Sequence, residues 1–281
     1  RNVTGVQTCA LPISIGLLSK EDQARWGGNY GERLRLYQSD MPYSAGERWS
    51  FTKGKIVAAW DFNNIKDGVV NNHVVSSLEG RLVDGAEIVA DPERGNVLAV
   101  HGKGGMECPQ DAAFDISGAI SIGAWVKLQS PTKDAPYIIS KSGWGMHAVP
   151  DSKSVEFGIV IERNEEYLQG LLGEPYEYPS AIGDVDLTDE RWHYIAGTYD
   201  GERVCLYIDG KLSNFIQVRG NIVLEDSVVF VGGYPKWGGG AKNLNWNGLI
   251  DDVRIYSYAL SAEEIKELYE GKEPPLEKKS E

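Results

Sequence analysis

From Lys55 onward the chain is written as short runs of β-branched and aromatic residues: KIVAAWDF, GAEIVA, NVLAVHG, AISIGAWVKL, YIISK, VEFGIVIE, HYIAGTYD, RVCLYIDG, SVVFVGG and LIDDVRIY. Each run is closed by Gly, Asp, Asn or Pro, which either accept positive φ or preset a turn. Runs this short do not sustain a 3.6 period, and no helical pattern lies between them. Strands repeated at spacings of roughly 8 to 20 residues specify antiparallel pairing rather than βαβ units. The predicted fold class is all-β, a two-sheet antiparallel sandwich. Thirty-three glycines, eight Trp and 14 Tyr suit that reading, since tight turns need the first and pleated surfaces favour the others.

Turn chemistry predicts part of the pairing. Asp200-Gly201 separates strands 193–199 and 203–208 and reads as a type I′ hairpin turn, and Asp209-Gly210 turns the chain again. Near the end, Ser261-Ala262-Glu263-Glu264 is a capping box in which the Ser hydroxyl accepts from the Glu264 amide. Ile265, Leu268 and Tyr269 then share one face and Gly271 supplies the stop, so one short C-terminal helix is expected.

The flanks are different. Val3 to Ile13, VTGVQTCALPI, resembles the translation of a sequencing-library adapter, so residues 1–14 are set aside as non-native and the Asn2-Val3-Thr4 sequon carries no argument. Residues 15–54 show neither period and read as a lead-in or the remnant of an upstream region; 55–271 form the domain, and 272–281, KEPPLEKKSE, a charged tail. Forty-one acidic against 28 basic side chains, a formal charge of −13, repel phosphate backbones and argue against nucleic acid as a partner. No run reaches the roughly 18 apolar residues of a membrane-spanning helix, so membrane insertion is not expected. Cys108 and Cys205 have no CxxC or Cys/His spacing, which speaks against zinc; they read as buried thiols, with a bridge between them left open.

Taken in order, Trp60-Asp61-Phe62-Asn63, SIGAWVKL, YIISK, ERWHYIAGTYDGERVCLYIDGK, VVFVGGY and GLIDDVRIYSYALSAEEIKELYEG closely resemble the laminin-G-like, concanavalin A-like jelly roll. The resemblance implies an extracellular binding or adhesion module, often with a structural calcium and usually without catalysis. It places His193 in a recurring, structural Trp-His pair. It also implies a secreted, cell-surface or periplasmic setting, and a carbohydrate or a glycan or protein ligand at a cell surface. It does not name that ligand.

Candidate sites follow from chemistry. Sugar rings stack on exposed aromatics, so three loops qualify for ligand binding: SGWGMH with Trp144, EPYEYP with Tyr176 and Tyr178, and GGYPKWGGGAKNLNWNG with Tyr234, Trp237 and Trp246. Trp246 opens a strand and has a core reading too. For calcium, period 2 sends Asp61 and Asn63 to the face opposite Trp60 and Phe62, and Asp251 shares the apolar face of Leu249, Val253 and Ile255. A carboxylate there is neutralised, hydrogen-bonded or metal-bound. The resemblance puts an ion where the first and last strands meet, which selects Asp61, Asn63, Asp67 and Asp251; the alternative is an Asp251 satisfied by turn N–H groups or an arginine. His101, where relatives often carry an acidic or amide residue, weakens the calcium case. No nucleophile elbow is visible, and the carboxylates of IERNEE and DVDLTDER read as turn charges, so the expectation is a non-catalytic module. A structural spacer supporting an upstream enzyme, and a glycoside hydrolase of the same superfamily, are the alternatives.

Overall fold

A computed structural model describes residues 54–131, 134–162, 176–234 and 244–272, with the backbone alone at 162, 176 and 177. The strands run in chain order as β1 (Ile56–Trp60), β2 (Ile65–Lys66), β3 (Val69–Val70), β4 (Gly80–Val83), β5 (Glu87–Asp91), β6 (Gly95–His101), β7 (Gly105–Cys108), β8 (Ile120–Leu128), β9 (Tyr137–Lys141) and β10 (Trp144–Ala148). They continue as β11 (Ser154–Ile159), β12 (Ile161–Glu162), β13 (Tyr176–Glu177), β14 (Ser180–Asp184), β15 (His193–Tyr199), β16 (Arg203–Ile208), β17 (Lys211–Gln217), β18 (Val229–Val231) and β19 (Asn247–Tyr256), followed by helix α1 (Ala262–Tyr269).

Two large antiparallel sheets result. The first has the order β17-β16-β15-β8-β19-β6-β5, with β1 also on β19; the second has the order β14-β11-β10-β9-β18-β7-β4-β3-β2. β12 and β13 pair separately. The sheets meet through inward-facing side chains. A methyl group on Gly197 of the first sheet would collide with the Phe157 ring of the second, and one on Gly183 of the second would meet Leu206 and Ile208 of the first. Trp60, Phe114, Phe157, Ile122, Met106 and Ile139 are among the buried core side chains. The predicted all-β, two-sheet sandwich is the observed architecture.

The 193–199 and 203–208 hairpin forms as expected, with Tyr199 opposite Val204. Its turn is not type I′, however. Of the residues in that turn only Gly201 has positive φ, at 91°, which is the type II′ pattern; the Asp200 side chain accepts the amides of Glu202 and Arg203. The type I′ pattern belongs to the second Asp-Gly, where Asp209 and Gly210 have φ of 49° and 73° and join β16 to β17. The Ser261 capping box is complete, with both reciprocal bonds made. Ile265 and Leu268 pack α1 onto Tyr194, Tyr207, Tyr256 and Tyr258, on the side of the first sheet facing away from its partner. Cys108 and Cys205 are both free thiols, on different sheets.

One expectation fails within β19. A bulge between Asp251 and Arg254, with Asp252 at a φ of 48°, resets the alternation. Asp251 stands opposite Trp125, on the side of the sheet carrying α1, whereas Ile255 stands opposite Ile122 in the core. Asp251 therefore shares a face with Leu249 but not with Ile255.

Candidate functional site

The outer side of the second sheet carries two consecutive rungs of unlike chemistry. In one, Tyr137 of β9 faces His147 of β10, His147 faces Glu156 of β11, and Glu156 faces Ile182 of β14. In the next, Phe230, Ser140, Gly145, Gly158 and Ser180 stand side by side across five strands. The two glycines leave room that tyrosines fill. A Cβ on Gly145 would lie 2.9 Å from Tyr137, and one on Gly158 would collide with the Tyr178 ring. Mid-strand glycine here means a ring laid on the backbone.

The rings form a continuous group. Tyr137 lies 4.9 Å from Tyr234 and 4.7 Å from His147, centroid to centroid, and hydrogen-bonds the Tyr178 side chain. Burial, reinforced by Tyr234 and Glu156, pushes the Tyr137 phenol up to about 12, so it stays a neutral hydrogen-bonding group. His147 Nε2 lies 3.4 Å from Glu156 Oε2, and both residues are 8% exposed. Tyr178, by contrast, is 41% exposed and Tyr234 is half-buried. An apolar, ring-lined surface with a recessed carboxylate and imidazole is thus presented on this side. On the first sheet the equivalent side is taken up by α1.

The predicted ligand residues separate. Tyr178 and Tyr234, from two different loops, are brought together through Tyr137. Trp144 is 3% exposed and points into the core from β10, and Trp246 is fully buried, so neither is placed to stack on a ligand. Trp144 sits on an inward position of β10 rather than in a loop, and Trp246 is held just before β19 by backbone bonds to Gly232 and Gly102. Tyr176 lies in β13 with its side chain outside the described residues, as is all of Trp237. Tyr137, His147 and Glu156 were missed. The available signal was the lone glycine inside each of the runs WGMHA and SVEFGI, which marks a close approach to the strand.

The calcium residues do not fit an oxygen shell. Arg94 Nε donates to Asp251 Oδ2 at 2.7 Å, and its guanidinium lies 4.3 Å over Trp125 and 5.5 Å from Trp192. A fixed cation therefore already faces that carboxylate, which burial pushes up to about 6 against the pull of Arg94. Asp61 is bound by His73 Nε2 at 2.7 Å, Asn63 is exposed beside Gly95, and Asp67 sits at a φ of 53° in the exposed β2–β3 turn. Among the described residues no group of three or more His, Cys, Asp or Glu side chains is placed to hold a metal ion.

Carboxylate pairing bears on hydrolysis. Glu107 of β7 shares the outer side with Glu156 but is four strand spacings away, about 19 Å, far beyond the roughly 5 to 9.5 Å that glycosidases use. Asp184, diagonal to Glu156, accepts the Ser154 hydroxyl at 3.0 Å.

Several solved structures share this fold. The binding domain of Paraclostridial Mosquitocidal Protein 1 superposes with a TM-score of 0.59 at 12% identity, covering 77% of this chain and 52% of that one. Domain 4 of an extracellular arabinanase from Geobacillus stearothermophilus, in complex with arabinotriose, gives 0.53 at 17% identity, covering 78% of this chain and all of that one. The binding domain of botulinum neurotoxin DC, in complex with SialylT, gives 0.54 at 16% identity over 77% and 51%. The chain thus spans about half the length of the two toxin domains. No curated protein sequence matches it. The family model described as the concanavalin A-like lectin/glucanases superfamily matches residues 101–266, more than half of the chain, and the protein belongs to that family.

Proposed function

We propose that the protein is a non-catalytic carbohydrate-binding module, secreted or displayed at a cell surface, that seats a sugar on the tyrosine group of its second sheet. The observation that carries this reading is the convergence of Tyr137, Tyr178 and Tyr234 from separate segments onto one partly exposed surface. Pyranose and furanose rings present C–H faces that pack on such rings, while ring hydroxyls need polar partners within reach. His147, Glu156 and the tyrosine hydroxyls supply those partners. The arabinanase domain and the neurotoxin domain are in complex with saccharides, arabinotriose and SialylT, which supports a glycan as the ligand here.

The spacer reading expects a sheet without an aromatic surface; buried Trp144 agrees with it, but the tyrosine group does not. The test is a glycan screen on the full chain with Tyr178→Ala alongside, combined with a reducing-end assay on every sugar that binds. Binding lost in the variant, with no bond cleavage, supports the module. Binding that survives in the variant places the ligand elsewhere, and released reducing ends make the protein a hydrolase.

A further inference from the structure

We infer that this site takes a neutral saccharide, with the Glu156 carboxylate accepting sugar hydroxyls from beneath the tyrosine group and turning acidic glycans away; this rests on the reading above. The argument begins with cost. A carboxylate 8% exposed on the outer side of a sheet has lost most of its hydration, and an apolar residue at that place would be the cheaper way to build the sheet. The His147 imidazole lies 3.4 Å from it, is itself buried, and leans on the Tyr137 ring.

A carboxylate is an acceptor, with about four lone-pair directions between its two oxygens. Vicinal hydroxyls of a sugar are a matching pair of donors, and O–H to carboxylate bonds are among the stronger ones available. The Tyr137 phenol, bonded to the Tyr178 side chain, lies within electrostatic reach of Glu156, and a phenol can give or accept. An acidic sugar brings a second negative charge toward Glu156, in surroundings where water screens poorly, and the −13 charge of the chain opposes its approach from a distance. An amino sugar would have to give up a strongly hydrated ammonium to reach a carboxylate that His147 already attends.

The test uses the full chain and calorimetric titration with arabinotriose, cellotriose, maltotriose and lactose as neutral probes, sialyllactose and trigalacturonate as acidic ones, and fully deacetylated chitotriose as the cationic one. The wild type is expected to bind a neutral probe and neither acidic one. Glu156→Gln is expected to weaken that binding at least about tenfold, as loss of a charged acceptor does, and to gain measurable binding of an acidic probe. That gain is a readout a merely structural role would not produce. If Glu156→Gln fails to fold, Glu156→Asp keeps the charge but retracts it, and is expected to lose neutral binding without gaining acidic binding.

Strongest binding of an acidic probe or of chitotriose by the wild type overturns the inference, as does a Glu156→Gln variant that binds like its parent, while the tyrosine site stands if Tyr178→Ala still abolishes binding. Binding indifferent to Tyr178→Ala, or none across the panel, overturns the site itself and the inference with it.

Discussion

The ring of Tyr178 occupies the space that a side chain on Gly158 would need. Glycine is otherwise a poor strand residue, yet β11 carries it at this position because the tyrosine lies directly on the backbone. Gly158→Ala is therefore expected to push Tyr178 off the sheet. The cost should be about 1–3 kcal/mol, as for other overpacked sites, read by urea unfolding. Because the clash is specific, Tyr178→Ala should absorb most of it: the double variant should be far more stable than the sum of the two single losses allows. Additive losses would mean that the ring does not rest where the structure puts it.

Arg94 and Asp251 form the corresponding polar joint on the first sheet. Asp251→Ala leaves the guanidinium, 20% exposed, between Trp125 and Trp192 without its carboxylate. A loss of about 3 kcal/mol is expected, as when one partner is removed from a buried pair. Arg94→Ala should cost a similar amount, and the two should couple strongly in a double-mutant cycle. Melting temperatures equal to that of the parent would show that the joint contributes nothing.

The same joint predicts the response to metal. Arg94 already faces Asp251, and Asp61 is hydrogen-bonded by His73, so both carboxylates have partners without calcium. Dialysis against a chelator should leave the melting temperature unchanged within about 1 °C, and added calcium should not raise it; by the usual scaling, 1 kcal/mol of linkage would move it by about 2–4 °C. A calcium-dependent rise of that size would show that the ion binds in spite of the arginine.

His193 is held between two carboxylates, Asp209 Oδ2 at 3.0 Å from Nδ1 and Asp189 Oδ1 at 3.2 Å from Nε2. The bond to Asp209 raises its pKa above 6.5, against the opposing effect of burial. A proton held more tightly in the folded state stabilises fully below the unfolded value and ceases to do so as pH rises through the folded one. The stability gap between wild type and His193→Gln should accordingly be widest near pH 5.5 and narrow above neutrality. Urea unfolding at pH 5.5 and 8.5 decides it, and a gap independent of pH would remove the charged pair from the account.

At the helix, Ser261→Ala removes the hydroxyl that accepts the Glu264 amide. A loss of about 1 kcal/mol is expected. Because α1 covers Tyr194, Tyr256 and Tyr258, tyrosine fluorescence should report local loosening before global unfolding. Coincident transitions in wild type and variant would show that the cap does not limit the docking of α1.

How much of this was legible in the amino-acid order depends on the range of the interaction. Strand runs, the 193–208 hairpin, the second Asp-Gly turn and the capping box are settled by neighbours within about four residues, where side-chain alternation, backbone sterics and local hydrogen bonds act; these were readable. Even the type of the first Asp-Gly turn shows the limit, since the Asp200 carboxylate accepts the amides of Glu202 and Arg203, a geometry that composition does not specify. The bulge at Asp252 is invisible in LIDDVRIY, and it alone decides that Asp251 meets Trp125 and Arg94 rather than the core.

The site lies at the far end of the same scale. Tyr137, His147, Glu156, Tyr178 and Tyr234 are spread over nearly a hundred positions and share a surface only because β9, β10 and β11 are adjacent and the segments carrying Tyr178 and Tyr234 close over them. Aromatic content showed that rings were available. Which of them face water was decided by the packed sheets: Trp144 and Trp246 turn inward, Tyr137 rests over Gly145 and Tyr178 over Gly158. Short-range physics wrote the strands into the sequence, whereas the meeting of groups far apart in the chain is a property of the packed sheets alone.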